Sequence, residues 1–372
     1  MIMIELYRLV LEGIIMSNNY LKPLFKYPGG KSSEYKYLKK LFPDFNTYIE
    51  PFIGGGAVYW ATDANNWIIN DYSRELISIY KYCKDQNEVF IKYFEEISTI
   101  WTRKNKYEKF IEYALKNNIR CTKEQLLELS IDLGSDIKYL PMNFELLTNY
   151  FEDSLNRKIK SLNKISQKTI IKNWKDNALG ILGSGIYTYL RYLYNHTSFE
   201  KKPELKTILY LFIREYSYSS MFRFNSEGLF NVPFGGNSYA KKDFSKRLKQ
   251  FKDPNVISKL QETRILQGDF SNAFLDEQNA FMFLDPPYDT EFSTYNLHVF
   301  DANEQIRLHD ELLKINKTKW LMVTKSTAFI EKLYNRKGWF KKHFDKTYSV
   351  NFKNRNDKNV SHLVISNYNL EE

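Results

Sequence analysis

A strand–turn–helix alternation opens the chain, stops near residue 85 and resumes at residue 263, so any fold must join two distant stretches in one sheet. Residues 47–50 (TYIE) read as a short strand entering the turn Gly54-Gly55-Gly56. A helix through Ala57, Val58 and Trp60 follows, then a strand at 67–70 (WIIN), then Asp71 and a helix with Leu76, Ile77, Ile79 and Tyr80 on its apolar side. This is the opening of a doubly wound α/β sheet. In the later stretch TRILQ (263–267) leads into Gly268-Asp269-Phe270, and the wholly apolar AFMFL (280–284) leads into Asp285-Pro286-Pro287-Tyr288. A helix at 303–315, a strand WLMVT (320–324), a helix near 326–335 and strands near 346–352 and 362–368, joined by the polar turn NRNDKN, complete the pattern. Between the halves, from about Asn87 to Glu262, the pattern is helical and polar.

Composition narrows the partners. The chain has 372 residues with 54 Lys plus Arg against 44 Asp plus Glu, a net charge of +10. Aromatic residues reach 16%. Cations meet phosphates and rings meet bases, so nucleic acid is one reading; A+T-biased codon usage is the other. The stretch 154–175 contains no acid, with Lys164, Lys168, Lys172 and Lys175 at helical spacing and Ile159, Leu162, Ile165 and Trp174 as the expected buried stripe. A second basic cluster is Lys241, Lys242, Lys246, Arg247, Lys249 and Lys252. Cys83 and Cys121 form no pairing framework, which points to a reducing cytoplasm. The five histidines lack metal-ligand spacing, so no metal is expected. Glu5, Arg8 and Glu12 interrupt the apolar start, which reads as neither a membrane span nor a convincing signal peptide. Residues 1–16 read as an N-terminal extension, with Met16 as an alternative start.

Three segments carry chemistry. Glycines 54–56 let a ligand approach the backbone, and Asp71 is placed to accept hydrogen bonds from a ribose. Together they fit an adenosine-containing cofactor without a pyrophosphate. Asp285-Pro286-Pro287-Tyr288 ends a buried strand. Its carboxylate and a carbonyl held by two prolines can converge on one amino group, with Tyr288 as a stacking face. An aromatic amine needs that help, because its lone pair is delocalised into the ring. Lys26-Tyr27-Pro28-Gly29-Gly30-Lys31 puts a glycine pair between a ring and an ammonium.

Taken together, these motifs resemble those of the Dam-type (α-group) DNA adenine N6-methyltransferases. The resemblance covers about 22–85 and 205–368. It implies a Rossmann-like S-adenosylmethionine-dependent methyltransferase sheet with an inserted, mainly helical target-recognition domain. The parts would be 17–86 (first half, cofactor-binding), 87–262 (target recognition, hairpin at 218–237) and 263–372 (second half). It assigns S-adenosyl-L-methionine to Tyr27, Lys31, Glu50, Pro51, Phe52, Gly54, Gly56, Asp71, Asp269, Phe270 and Asp285, and catalysis to Asp285, Pro286, Pro287 and Tyr288. It assigns DNA contacts to Tyr218, Ser219, Arg223, Asn225, Asn231 and Pro233, with Arg223 presented to a guanine. Ser219 stands where GATC-specific relatives often carry Asn, and Gly236-Asn237 replace an Arg-Tyr pair, departures that bear on the recognition sequence. The expected partners are double-stranded DNA and a cognate restriction endonuclease, for a monomer in a bacterial or phage setting. Alternatives are an RNA or protein methyltransferase using the same Pro-Pro-Tyr motif, a dinucleotide oxidoreductase, and a non-catalytic DNA-binding relative.

Overall fold

The computed structural model describes residues 20–167, 169–287, 300–347 and 359–370. The N-terminal extension, Tyr288, Lys168 and most of the turn NRNDKN lie outside these residues. β1 (Thr47–Glu50) pairs in parallel with β2 (Asn66–Ile69) on one side and β4 (Ala280–Leu284) on the other. β3 (Thr263–Ile265) extends the parallel set beyond β2, and β5 (Lys319–Lys325) extends it beyond β4. β7 (Asn359–Ser366) runs antiparallel to both β5 and β6 (Phe340–Thr347), giving the order β3-β2-β1-β4-β5-β7-β6. Both faces are covered, which is why AFMFL has no polar alternation. Tyr48, Phe281, Phe283, Leu321 and Val323 belong to one core; Ile49, Met282, Leu284, Trp320 and Met322 belong to the other.

Two expectations about this half shift. β6 begins at Phe340, ahead of the expected 346–352, and β7 spans Asn359–Ser366, ahead of 362–368. β6 reads FKKHFDKT because it is a sheet edge, where charge rather than apolar alternation keeps other strands from pairing. Its lysines mask any period-two hydrophobicity.

Between β2 and β3 the chain is helical. A short α1 (Tyr35–Leu38) precedes β1, α2 (Ala57–Ala61) follows the glycine turn, and α3 (Arg74–Lys84) follows β2 with Ser73 accepting the Leu76 N–H as cap. Then come α4 (Glu88–Arg103), α5 (Glu108–Lys116), α6 (Lys123–Gly134), α7 (Phe144–Ser166), α8 (Trp174–His196) and α9 (Pro203–Tyr216). α10 (Asn237–Ala240), α11 (Ser245–Phe251) and α12 (Pro254–Gln261) lead back to β3. α9 packs on α3 beside the sheet and on α4 and α8, so it is the spine between the two regions.

The basic segments differ from expectation. The acid-free stretch is not one helix: α7 ends at Ser166 and α8 starts at Trp174. Ile165, expected in a buried stripe, is exposed at the end of α7. The 241–252 cluster is largely paired inside the protein. Lys241 meets Asp176 at 2.8 Å, Arg247 meets Glu215 at 3.2 Å and Lys252 meets Glu95 at 2.7 Å. Lys242 donates to the Glu215 carbonyl at 3.2 Å. Most of that charge stitches α10 and α11 to their neighbours.

Candidate active site

The chain order makes β1 and β4 the point where the sheet reverses its direction of growth, and ligands of open α/β sheets bind beyond the carboxyl ends of such strands. Four acidic residues stand at that edge on adjacent strands: Asp269 after β3, Asp71 after β2, Glu50 closing β1 and Asp285 after β4. Glu50 is buried and accepts a hydrogen bond from Tyr48 Oη at 2.7 Å. Burial, helped by the nearby Asp285 charge, pushes its carboxyl up to about 8. Lys31, itself only 2% exposed, reaches both Asp285 oxygens at 2.6 Å and the Gly29 carbonyl at 3.0 Å. The opening motif thus sits on the Asp-Pro-Pro motif 254 residues away in sequence.

Asp71 anchors the glycine turn. It accepts the Gly54 N–H at 3.0 Å and the Ser73 N–H at 2.9 Å. Burial raises its carboxyl against these bonds. Gly56 holds φ of 67° and opens α2, and a Cβ on Gly55 would lie 2.8 Å from the Tyr27 Cβ. The glycines therefore serve the protein's own closure as well: Tyr27 lies across the turn. Asn70 ties the neighbouring loops together, its Nδ2 donating to the carbonyls of Pro51 (3.1 Å) and Gly268 (3.0 Å).

Asp269 has a protein partner. Arg307 of α13 (Ala302–Leu312) bonds it through both terminal nitrogens, at 3.0 and 2.6 Å, and holds its carboxyl down at about 2. The same guanidinium lies 4.2 Å from the centre of the Phe270 ring, which faces Phe52 at 5.3 Å with a 33° tilt. These rings form the apolar wall beside the carboxylates.

The hairpin is irregular. Ser217 bridges Phe234, Phe224 bridges Phe230, and the Tyr218 N–H donates to the Pro233 carbonyl at 2.9 Å. Ser219 takes φ of 53°, a left-handed conformation that Asn tolerates better than Ser. Arg223 and Asn231 are exposed, and Arg223 Nε donates to Asn231 Oδ1 at 3.1 Å. The terminal nitrogens of Arg223 have no protein partner among the described residues. Asn225 uses its side-chain oxygen to accept the Glu227 and Leu229 N–H groups at 3.1 and 2.8 Å, closing the tip. α8 braces this hairpin: Asn195 exchanges two bonds with the Phe230 backbone, at 3.1 and 2.9 Å, and Arg191 and Tyr187 donate to the Val232 carbonyl.

Comparison with known proteins decides the family. The sequence profile of the D12 class N6 adenine-specific DNA methyltransferases matches residues 27–350. The chain belongs to that class. It is 24% identical to the type II methyltransferase M.CviBI of Paramecium bursaria Chlorella virus NC1A, over 94% of this chain and 100% of the relative. It is 22% identical to the type II methyltransferase M1.LlaDCHI of Lactococcus lactis subsp. cremoris, over 94% and 96%. It is also 22% identical to the DNA adenine methylase of Haemophilus influenzae, over 84% and 83%. The protein is therefore an adenine-specific DNA methyltransferase, and the seven-stranded α/β sheet is consistent with that class.

Within this methyltransferase the residues singled out from the sequence fall into two groups. Tyr27, Lys31, Glu50 to Gly56, Asp71, Asp269, Phe270 and Asp285 to Pro287 gather at the carboxyl edge of the sheet. Tyr218, Ser219, Arg223, Asn225, Asn231 and Pro233 gather in the hairpin. Asn195 and Arg307 escaped sequence reasoning, and Asn70 was read only as the end of the second strand, not as the side chain that ties two loops together. Asn70 carried a signal, a polar residue closing an apolar strand; so did Arg307, a cation between the apolar Ile306 and Leu308 and one turn from Glu304. Asn195 carried none. No helix of the described residues is long and apolar enough to cross a membrane.

Proposed function

We propose that this methyltransferase takes the methyl group from S-adenosyl-L-methionine and places it on N6 of an adenine flipped out of a short duplex site. The observation that carries the reading is the carboxylate edge: four acidic side chains beside an aromatic wall, with Lys31 locking Asp285. A donor carrying a sulfonium and an ammonium fits that set of groups, and its ammonium would favour the ionised form of the otherwise protonated Glu50. Tyr27, Glu50 to Gly56, Asp71, Asp269 and Phe270 would hold it, with Asp71 and Asp269 towards the nucleoside and Glu50 towards the ammonium. When bound, this cofactor supplies an electrophilic methyl group.

The protein's part is positioning. Flipping is required because the amino group is otherwise engaged in base pairing, and it costs a few kcal/mol. Asp285 then accepts a hydrogen bond from one amino N–H and the Pro286 carbonyl accepts one from the other, which draws the nitrogen from planarity and aims its lone pair. Once methylated, the nitrogen sheds one of these protons to solvent by way of Asp285. Lys31 holds the Asp285 carboxylate in the orientation for this, and Tyr288 offers a face to the base. Arg223, held at Nε by Asn231, presents its terminal nitrogens to a base edge. The organisation 17–86, 87–262 and 263–372 assigns chemistry to the outer segments and reading to the inner one. The enzyme acts as a monomer on DNA in the cytoplasm, beside a restriction endonuclease of the same specificity.

The test is transfer of labelled methyl to duplex DNA and to RNA by wild type and Asp285→Ala. DNA alone should be labelled, and the variant should retain DNA binding while losing at least about 100-fold in rate, as expected when a group that positions the reacting atoms is removed. Near-wild-type labelling by the variant, or preferential labelling of RNA, would overturn the assignment.

A further inference from the structure

Arg214 lies near the end of α9 and is fully buried, at 0% exposure. Its guanidinium makes one hydrogen bond, from Nη1 to Tyr210 Oη at 3.2 Å. Nε and Nη2 are buried with no hydrogen-bond partner among the described residues. Two rings from distant segments flank it at nearly equal distance, Tyr27 of the opening motif at 4.5 Å and Phe222 of the hairpin at 4.6 Å, and the ring of Tyr210, on its own helix, lies at 5.3 Å. Phe222 directly precedes Arg223 and packs on Phe230 at 4.9 Å, inside the hairpin. Tyr27 lies across Gly54, whose N–H is held by Asp71, and the Arg214 charge favours the ionised form of that same carboxylate.

The flanking rings and the nearby Asp71 carboxylate offset part of the cost of burying this cation. A buried guanidinium with unpaired N–H groups is still costly, and apolar side chains of similar volume commonly do as well or better in such places. What the residue does provide is a rigid, charged plane between the loop that closes the cofactor pocket and the hairpin that meets DNA, mounted on the helix that spans both regions.

We propose that Arg214 is a positioning residue that couples cofactor-pocket occupancy to the docking of the hairpin on DNA. A shift of Phe222 on DNA binding moves the guanidinium against Tyr27, and ordering of Tyr27 over a bound cofactor presses back the same way. The coupling is reciprocal, as any linkage between two binding equilibria must be. This rests on the function proposed above, and its test separates the two.

The probe is S-adenosyl-L-homocysteine, titrated into the full-length protein with and without a duplex carrying the site found by methylation mapping. Wild type should bind the probe about five-fold or more tightly when the duplex is present, the lower end of common coupling strengths. In Arg214→Met the two affinities should differ by less than about two-fold, while the variant unfolds at or above the wild-type temperature. Arg214→Lys, with charge but no plane, should fall between them. Phe222→Leu leaves the guanidinium in place and removes its hairpin ring, so it should lose the coupling as well, which covers the case in which Arg214→Met does not fold. Equal affinities in wild type, or wild-type coupling in Arg214→Met or in Phe222→Leu, would overturn the proposal. Methyl transfer by the wild-type sample reports separately on the reaction, since the affinity ratio is read whether or not a methyl group moves.

Discussion

Glu50 shows how one burial sets a pH dependence. The folded protein keeps its proton up to about 8, whereas an exposed glutamic acid releases it near 4.5. The folded state therefore binds more protons in this interval, so the stabilisation is full below the lower value and is lost as the pH rises towards 8. Glu50→Gln should unfold with a flatter dependence on pH between 5 and 8, measured by thermal melts. An unchanged slope would show that another group dominates. Arg223 belongs to the same scale. With Nε held by Asn231, its two terminal nitrogens match a guanine edge. Arg223→Ala should lose about 1–3 kcal/mol of discrimination at one base position while non-cognate binding changes little, readable by competition with single-base variants of the site. Uniform weakening on all sequences would instead make it a phosphate contact.

At the scale of elements, α8 carries a prediction. Asn195 pairs with the Phe230 backbone much as another strand would, and Asn195→Ala leaves that N–H and carbonyl unpaired. The expected cost is about 1–3 kcal/mol of stability, with weaker site-specific binding because the hairpin loses its brace; chemical denaturation and a binding isotherm measure the two. Elements also show where sequence reading succeeds. β1 at 47–50 and β4 at 280–284 match their expected ends, because an apolar run between a turn and a proline or glycine leaves few choices. β6 did not, since an edge strand advertises charge. The break between α7 and α8 was missed because lysine spacing carries across a helix end without marking it. The motif residues were legible through their local backbone demands, such as Gly56 at φ 67°. Their partners were not: Arg307 on Asp269, and Arg214 between two rings, exist only once distant segments meet.

For the whole molecule, the net charge of +10 divides into bound and free cations. Lys241 and Lys252 are engaged by Asp176 and Glu95, whereas Lys160, Lys164 and Lys172 are exposed and form no ion pair among the described residues. Neutralising Lys160 and Lys164 should lower the salt dependence of DNA binding by about one for each phosphate that a lysine no longer neutralises. Neutralising Lys241 and Lys252 should leave that slope unchanged and alter stability by less than about 1 kcal/mol. The reverse pattern would place the DNA path over α10 and α11. On the proposed function, this carboxylate edge and this hairpin together methylate adenine within one short sequence. Methylation-sensitive sequencing of DNA from cells expressing the wild-type protein tests it most directly. N6-methyladenine should accumulate at a single short motif and be absent from cells expressing Asp285→Ala; unmodified DNA, or marks scattered without a motif, would contradict it.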